Sequence, residues 1–247
     1  MPAPFRVKLS IIIPAYNEEK LIASSLSSIQ KALVPAVRLG YDPELIVVDN
    51  NSDDRTAELA ARFGARVVFE PIHQISRVRN TGASAANGDW LIFIDADCWP
   101  EAALINDVLD CIRDQGVMGG GSVLKMEDMP FLFNLMIGLW NGLSRLFRWA
   151  AGSFIFCRAD AFRDIGGFSL EYFVAEEIDF SVRAKRWARE RGKRFTILHR
   201  HPLMTSGRKF HLYSRGERFR TLWELLRRPR RFMRDRRLCY LWYDGRR

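Results

Sequence analysis

Trp90-Leu91-Ile92-Phe93-Ile94-Asp95-Ala96-Asp97 is an unbroken apolar run that ends on two carboxylates. Such a run, partly β-branched and without polar alternation, predicts a strand covered on both faces, as in the parallel sheet of an α/β protein. Carboxylates are costly to bury and sit where something positive meets them. At the carboxyl end of a parallel strand, where α/β sheets open toward ligands, a divalent metal holding a phosphate is a suitable partner. A rival explanation is that the two acids cap a helix starting near Pro100. The flanking sequence decides between the two.

Working outward, the same pattern recurs. Leu9-Ser10-Ile11-Ile12-Ile13-Pro14 reads as a first strand, and residues 18–33 have helical periodicity with Leu21, Ile22, Leu26 and Ile29 on one face. Glu44 to Asp49 reads as a second strand that also ends on an acid. A helix capped by Asp53 or Asp54 and stopped by Gly64 leads to a third strand, Ala65 to Phe69. Ser76 to Ala86 is helical, and Asn87-Gly88-Asp89 turns the chain into the Asp95 strand. This strand–helix alternation predicts a mostly parallel, doubly wound sheet flanked by helices. Further on, a helix is expected over 101–114, a glycine-weakened strand over 116–123, and a strand over 152–157. A helix broken at Gly166-Gly167 follows, then a charged helix over 176–191 and a last strand over 194–198.

The chain has 247 residues, 48% hydrophobic and 27% charged, enough for one large folded domain with an appendage. Its four cysteines show no CxxC or CxxH spacing, so reduced thiols are expected, not a disulfide frame or a zinc site. Met1-Pro2-Ala3-Pro4-Phe5-Arg6 runs almost directly into a strand, so no secretory leader is expected and the compartment is read as cytoplasmic. The net charge of +9 is uneven. From Arg208 onward fourteen Lys and Arg face four Asp and Glu, giving the tail +10 and the remainder −1. The boundary is therefore drawn between a domain at 1–207 and a basic, helical, membrane-proximal tail at 208–247. That asymmetry points to an anionic surface.

Read in order, the strand ends carry "IIIPAYNEE", "LIVVDNNSDD", "RVRNTGASAANGDWLIFIDAD", "GGF" at 166–168 and "EEIDFSVR" at 176–183. Together these closely resemble the family 2 glycosyltransferases, whose fold is the Rossmann-like GT-A type. The resemblance runs from about Lys8 to Arg208. It implies transfer of a sugar from a nucleoside diphosphate donor to an acceptor hydroxyl, with Mg²⁺ or Mn²⁺ as cofactor. Single displacement with inversion is expected.

The resemblance also assigns residues. Pro14, Ala15 and Tyr16 would hold the base, Glu18 the ribose, and Asp49 a base N–H. Arg79, with Arg77 as second choice, would meet the base or diphosphate. Asp97 is the expected metal ligand and Asp95 its ribose-side neighbour. Glu176 and Glu177 match the family's acidic pair. By register Glu177 falls on the general base, with Glu where Asp is common. His201 is a candidate third metal ligand. Gly167 and Arg208 are candidates for the acceptor or diphosphate. Each has a plainer explanation: Tyr16 as a packed aromatic, the acids as partners of helix dipoles, the arginines as solvated.

Residues 130–150 form the most apolar helix-length segment, interrupted by Asn134, Asn141, Arg145 and Arg148. A membrane-interface helix, a core helix and a homodimer face share this pattern. With the basic tail it suggests a peripheral enzyme on the cytosolic face of a membrane, acting on a lipid-linked or glycan acceptor. The rival class is a peripheral membrane or nucleic-acid-binding adaptor built on an inactive GT-A-like domain. Arginines interleaved with Trp223, Phe232, Tyr240, Trp242 and Tyr243 would suit single strands, but no specific nucleic-acid partner is expected. A dinucleotide-dependent oxidoreductase is disfavoured, because no GxGxxG follows the first strand.

Overall fold

A computed structural model describes residues 6–126, 129–208 and 212–243. The chain alternates β1 (Lys8–Ala15), α1 (Ile22–Arg38), β2 (Asp42–Asp49), α2 (Thr56–Arg62), β3 (Arg66–Phe69), α3 (Ile75–Ala85) and β4 (Trp90–Ile94). It continues through β5 (Cys98–Trp99), α4 (Ala102–Arg113), β6 (Val117–Met126), α5 (Phe131–Phe147), β7 (Phe154–Arg158), α6 (Ala159–Ile165), α7 (Glu176–Glu190) and β8 (Arg194–Thr205). Among the described residues of the tail are the helices α8 (Arg215–Arg227), α9 (Pro229–Arg234) and α10 (Tyr240–Tyr243).

The strands form one sheet in the order β3-β2-β1-β4-β7-β6-β8-β5. The half β3-β2-β1-β4 is parallel throughout, as the alternation predicts. The other half is mixed. β7 runs antiparallel to both β4 and β6, whereas β6 and β8 are parallel. The reason lies in the entry point of β7. α5 delivers the chain to the carboxyl edge of β4, where the Ser153 carbonyl accepts the Asp95 N–H at 3.2 Å. From there β7 has only the reverse direction open to it. β6, expected to be weakened by its glycines, is a ten-residue strand in the interior of the sheet.

Two apolar layers flank the sheet. Ile11 and Ile13 face one side with Leu26, Ile29, Leu104 and Val108, whereas Ile12 faces the other with Val78, Phe93, Phe168 and Phe180. Strands buried on both faces have no polar alternation to show, which is why they read as continuous runs. α3 lies close on β1 and β2: a Cβ at Gly82 would strike the Ile12 and Val48 side chains. That close approach brings Arg79, one turn earlier, down onto the sheet edge.

α5 differs from the other long helices. Phe131, Leu135, Met136, Leu139, Leu146 and Phe147 on it are exposed, so it is not a core helix. Among the described residues no helix is long and apolar enough to cross a membrane. The described part of the tail does not stand free of the body. Phe232 and Cys239 are fully buried, the Phe173 N–H donates to the Met233 carbonyl at 2.8 Å, and Arg234 pairs with Glu171 at 2.7 Å. Contacts therefore cross the 207/208 boundary drawn from composition.

Candidate active site

A cleft of about 700 Å³ opens at the carboxyl ends of β1 and β4 and the N-terminus of α7. Pro14, Ala15, Tyr16, Glu18, Arg79, Asp95, Asp97, Glu176 and Glu177 all line it. These residues are separated by up to 163 positions in the chain, and parallel strands bring their ends to one edge.

Arg79 is the hub. It is 2% exposed, and its Nη1 donates to Glu176 Oε1 at 2.5 Å. Its Nη2 donates to Asp95 Oδ1 at 3.1 Å and to the Gly152 carbonyl at 2.8 Å. The guanidinium also sits 5.4 Å from the centre of the Phe168 ring. Burial works against its charge, but Asp95, Glu176 and Glu177 outweigh that and hold the group above its ordinary pKa.

The two glutamates are therefore unequal. Glu176 is buried and spent on Arg79. Glu177, partly buried, lines the cleft, and its carboxyl is pushed up to about 8. Desolvation is the largest cause and the Glu176 charge the next, with Arg79 opposing both. A carboxyl poised there takes a proton readily near neutral pH. Gly152 makes room for Arg79: a Cβ there would lie 3.1 Å from Arg79 Nη2 and in ordinary contact, 3.6 Å, with the Glu177 carboxyl carbon.

The two aspartates divide in the same way. Asp95 is engaged by Arg79, whereas among the described residues the Asp97 carboxylate has a weak contact, 3.9 Å, from the Cys98 thiol. The short β5–β8 pairing, Cys98 with Thr205, sets Asp97 beside the next loop, where Ser206 N donates to the Asp97 carbonyl at 3.0 Å. Among the described residues no three His, Cys, Asp or Glu side chains converge as a metal cage. One little-engaged carboxylate facing the cleft does fit Mg²⁺ or Mn²⁺, which take one or two protein carboxylates and complete their shell from phosphate and water.

On the far wall Tyr16 meets His73 edge-on, ring centroids 4.5 Å apart. Glu18, 6% exposed, accepts from Arg208 Nη2 on both oxygens at 2.9 and 2.8 Å. Its carboxylate is therefore committed to an ion pair spanning 190 residues. Arg208 keeps Nε and Nη1 buried, with no hydrogen-bond partner among the described residues. Asp49 lies just behind the cleft, accepting from Ser52 N at 3.3 Å, and its neighbour Asn50 lines the wall.

Arg208, like Asp49, is not among the lining residues, and His201, Gly167 and Arg77 also lie outside the cleft. His201 stands 44% exposed, with its Nδ1 3.0 Å from Asp107 Oδ2 on α4. β8 continues four residues beyond His201 to Thr205, roughly 13 Å of extended chain. The strand expected over 194–198 therefore runs on past His201, which falls short of the cleft. Gly167 (φ 67°) closes a left-handed turn against Asn80, whose side chain holds both backbone groups of Phe168 at 2.9 and 2.8 Å. It braces the loop from behind and does not line the cleft. Arg77, on α3, is also absent from the lining.

Several lining residues escaped the sequence reading: His73, Gly152, Ser153, Tyr213, Arg236, Leu241 and Tyr243. The last four belong to the tail. Composition marked that segment only as basic, and no local signal tells that it folds back.

The sequence model described as "Glycosyl transferase family 2" matches residues 10–162. Glycosyltransferase AglE of Haloferax volcanii is 34% identical over 122 residues, 47% of this chain and 39% of its own. Dolichol-phosphate mannosyltransferase of Pyrococcus furiosus is 30% identical over 142 residues, 53% of this chain and 38% of its own. The chain thus spans about two fifths of the length of these relatives. Among solved structures, S. aureus TarS 1-349 superposes with a TM-score of 0.65 at 20% identity, covering 88% of this chain and 65% of its own. The mannosyltransferase PcManGT from Pyrobaculum calidifontis, in complex with GDP-Man and Mn²⁺, gives 0.62 at 20% identity, covering 98% and 71%. Glucosyl-3-phosphoglycerate synthase from Mycobacterium tuberculosis, in complex with Mn²⁺, UDP and its product, gives 0.60 at 20% identity, covering 81% and 72%. At such identities the superpositions establish a common GT-A fold.

Proposed function

The chain belongs to glycosyl transferase family 2, and from that premise we propose that it transfers a sugar, with inversion, from a nucleoside diphosphate donor to a lipid-linked or glycan hydroxyl. The observation that supports this most is a division of labour within one cleft. An aromatic wall at Tyr16, a little-engaged carboxylate at Asp97 and a proton-accepting carboxyl at Glu177 all face the same space.

Tyr16 and His73 offer flat surfaces for the base. The two buried donors of Arg208, a guanidinium fixed by Glu18 just behind the cleft wall, are of the chemistry that suits diphosphate oxygens. Glu177 takes the proton of the acceptor hydroxyl as its oxygen bonds to the anomeric carbon. The bond from that carbon to the diphosphate breaks, and its electron pair leaves with the diphosphate. Glu176 and Arg79 hold Glu177 in place. One displacement with one base inverts the anomeric centre. Asp97, with Asp95 nearby, would hold Mg²⁺ or Mn²⁺. When bound, that ion neutralises charge developing on the leaving diphosphate. The ligands named with two structural neighbours, Mn²⁺ with UDP or with GDP-Man, support this cofactor and donor class.

A thermal-shift panel of UDP-, GDP-, dTDP- and CDP-sugars, with and without Mn²⁺, tests the function. A donor at a hundred times its Kd stabilises by about 2.7 kcal/mol and raises Tm. Asp97→Ala is expected to remove the metal-dependent part of that rise. Absence of any rise with metal present would refute the transferase function.

The exposed face of α5 supports work at the cytosolic face of a membrane. Its apolar residues are flanked by Arg145 and Arg148, and α8 exposes Phe219, Trp223 and Leu226 beside Arg220 and Arg227. Apolar side chains next to arginines suit an anionic lipid interface. Sedimentation with phosphatidylserine vesicles, against oligonucleotide binding at equal salt, separates this from an adaptor on nucleic acid. Self-association without vesicle binding would assign α5 to a homodimer instead.

A further inference from the structure

The tail meets the cleft through contacts that the proposed chemistry does not use. Phe173 lies three residues before Glu176, and both of its backbone groups are taken by the tail. Its N–H donates to the Met233 carbonyl at 2.8 Å, and its carbonyl accepts the Tyr243 hydroxyl at 2.7 Å. The same hydroxyl accepts the Ile75 N–H at 3.4 Å. Ile75 opens α3, the helix that carries Arg79. One phenol thus bridges the two elements whose side chains form the Arg79–Glu176 pair.

Neighbouring contacts reinforce the bridge. The Phe173 and Tyr243 rings meet edge-on at 5.8 Å. From the α3 side, buried Gln74 donates to the carbonyls of Leu170 and Tyr172 at 2.8 and 3.1 Å. The loop needs holding, because Ala175 adopts φ 63° at the start of α7, a left-handed conformation that a residue with a side chain keeps only when its surroundings fix it. Tyr243 is itself seated by its neighbours: the Tyr213 hydroxyl donates to the Leu241 carbonyl at 2.7 Å, and Cys239 is fully buried beside Phe232. Burial and the Glu176 charge hold the Tyr243 phenol above its ordinary pKa, so it remains a donor.

We propose that Tyr243 is a positioning residue, whose hydroxyl clamps the N-terminus of α3 to the loop before α7 and so sets where Glu176 and Glu177 stand in the cleft. Its catalytic meaning rests on the transferase function, whereas the clamp itself is measurable without any donor. The basic tail is then a working wall of the site as well as a source of charge.

The test uses the full chain with Tyr243→Phe, which keeps the ring, and Tyr243→Ala, which removes it. Trp223→Ala, at an exposed site on α8, is the control. Backbone hydrogen exchange over residues 170–178 is expected to quicken at least fivefold in both Tyr243 variants and not in the control, with β1 unchanged. By carboxyl NMR, the Glu177 titration is expected to fall in Tyr243→Phe from about 8 toward the ordinary glutamate range, as water reaches a loosened loop. A role in packing alone would leave it in place. UDP and GDP with Mn²⁺ should still stabilise Tyr243→Phe, because Tyr16 follows β1 and Asp97 follows β4, away from the elements that Tyr243 joins. Wild-type exchange and titration in Tyr243→Phe would overturn the clamp, even if Tyr243→Ala failed to fold. A wild type that responds to neither nucleotide would count against the transferase function and leave the exchange result to decide the clamp.

Discussion

Arg79 shows how one side chain organises a site. A guanidinium this deeply buried is tolerated only because Asp95, Glu176 and the Gly152 carbonyl all receive it. Arg79→Met would leave two carboxylates facing a low-dielectric wall without their cation. The expected loss is about 3–5 kcal/mol of unfolding free energy, read by chemical denaturation. Glu177 answers differently. Its carboxyl binds a proton more tightly folded, at about 8, than unfolded, near 4.5. Between those values the folded state holds more protons, so stability falls as pH rises through that window. Glu177→Gln is expected to flatten that slope and to be the more stable protein at pH 8, while abolishing transfer. With the ionised carboxylate as the proposed base, the rate should climb as pH passes through about 8.

Elements explain which residues can meet. α3 descends onto β1 because Gly82 has no side chain to hold it off, and Arg79 arrives at the strand edge as a consequence. β8 outruns its apolar segment by seven residues, from Leu198 to Thr205, because after a register shift it pairs again with β6 at Leu203–Thr205 and, at Met204 and Thr205, with β5 as well. That extension removes His201 from the cleft. α5 keeps an exposed apolar face next to a cleft that its own Phe133 helps line. Leu135 and Leu139 lie one turn apart on that face, at 60% and 66% exposure. Changing both to Glu should abolish sedimentation with anionic vesicles and leave Tm within about 2 °C, since surface substitutions change stability by only about 0.5 kcal/mol.

At the scale of the whole molecule, a neutral body carries a tail of charge +10. Binding to an anionic membrane should therefore weaken steeply between 0.05 and 0.5 M salt, as the Debye length drops below about 10 Å. The apolar contribution of α5 should survive that change, so a residual, salt-insensitive fraction is expected in the same vesicle assay. The tail also supplies Tyr213, Arg236, Leu241 and Tyr243 to the cleft wall, so surface charge and part of that wall share one segment.

The amino-acid sequence by itself determined the parallel half of the sheet and the motifs that identify the family. Both are local: a doubly buried strand must be an apolar run, and acids at strand ends stand out against it. Only the tertiary structure decided which acid of each pair is spent on Arg79, that Glu18 is committed to Arg208, that β7 reverses the sheet, and that Tyr243 reaches the loop before Glu176. These are pairings across 97, 190 and 70 residues. A charged or phenolic side chain looks the same in a sequence whether its partner is water or a buried ion. What distinguishes the two is burial, and burial depends on how the whole chain packs.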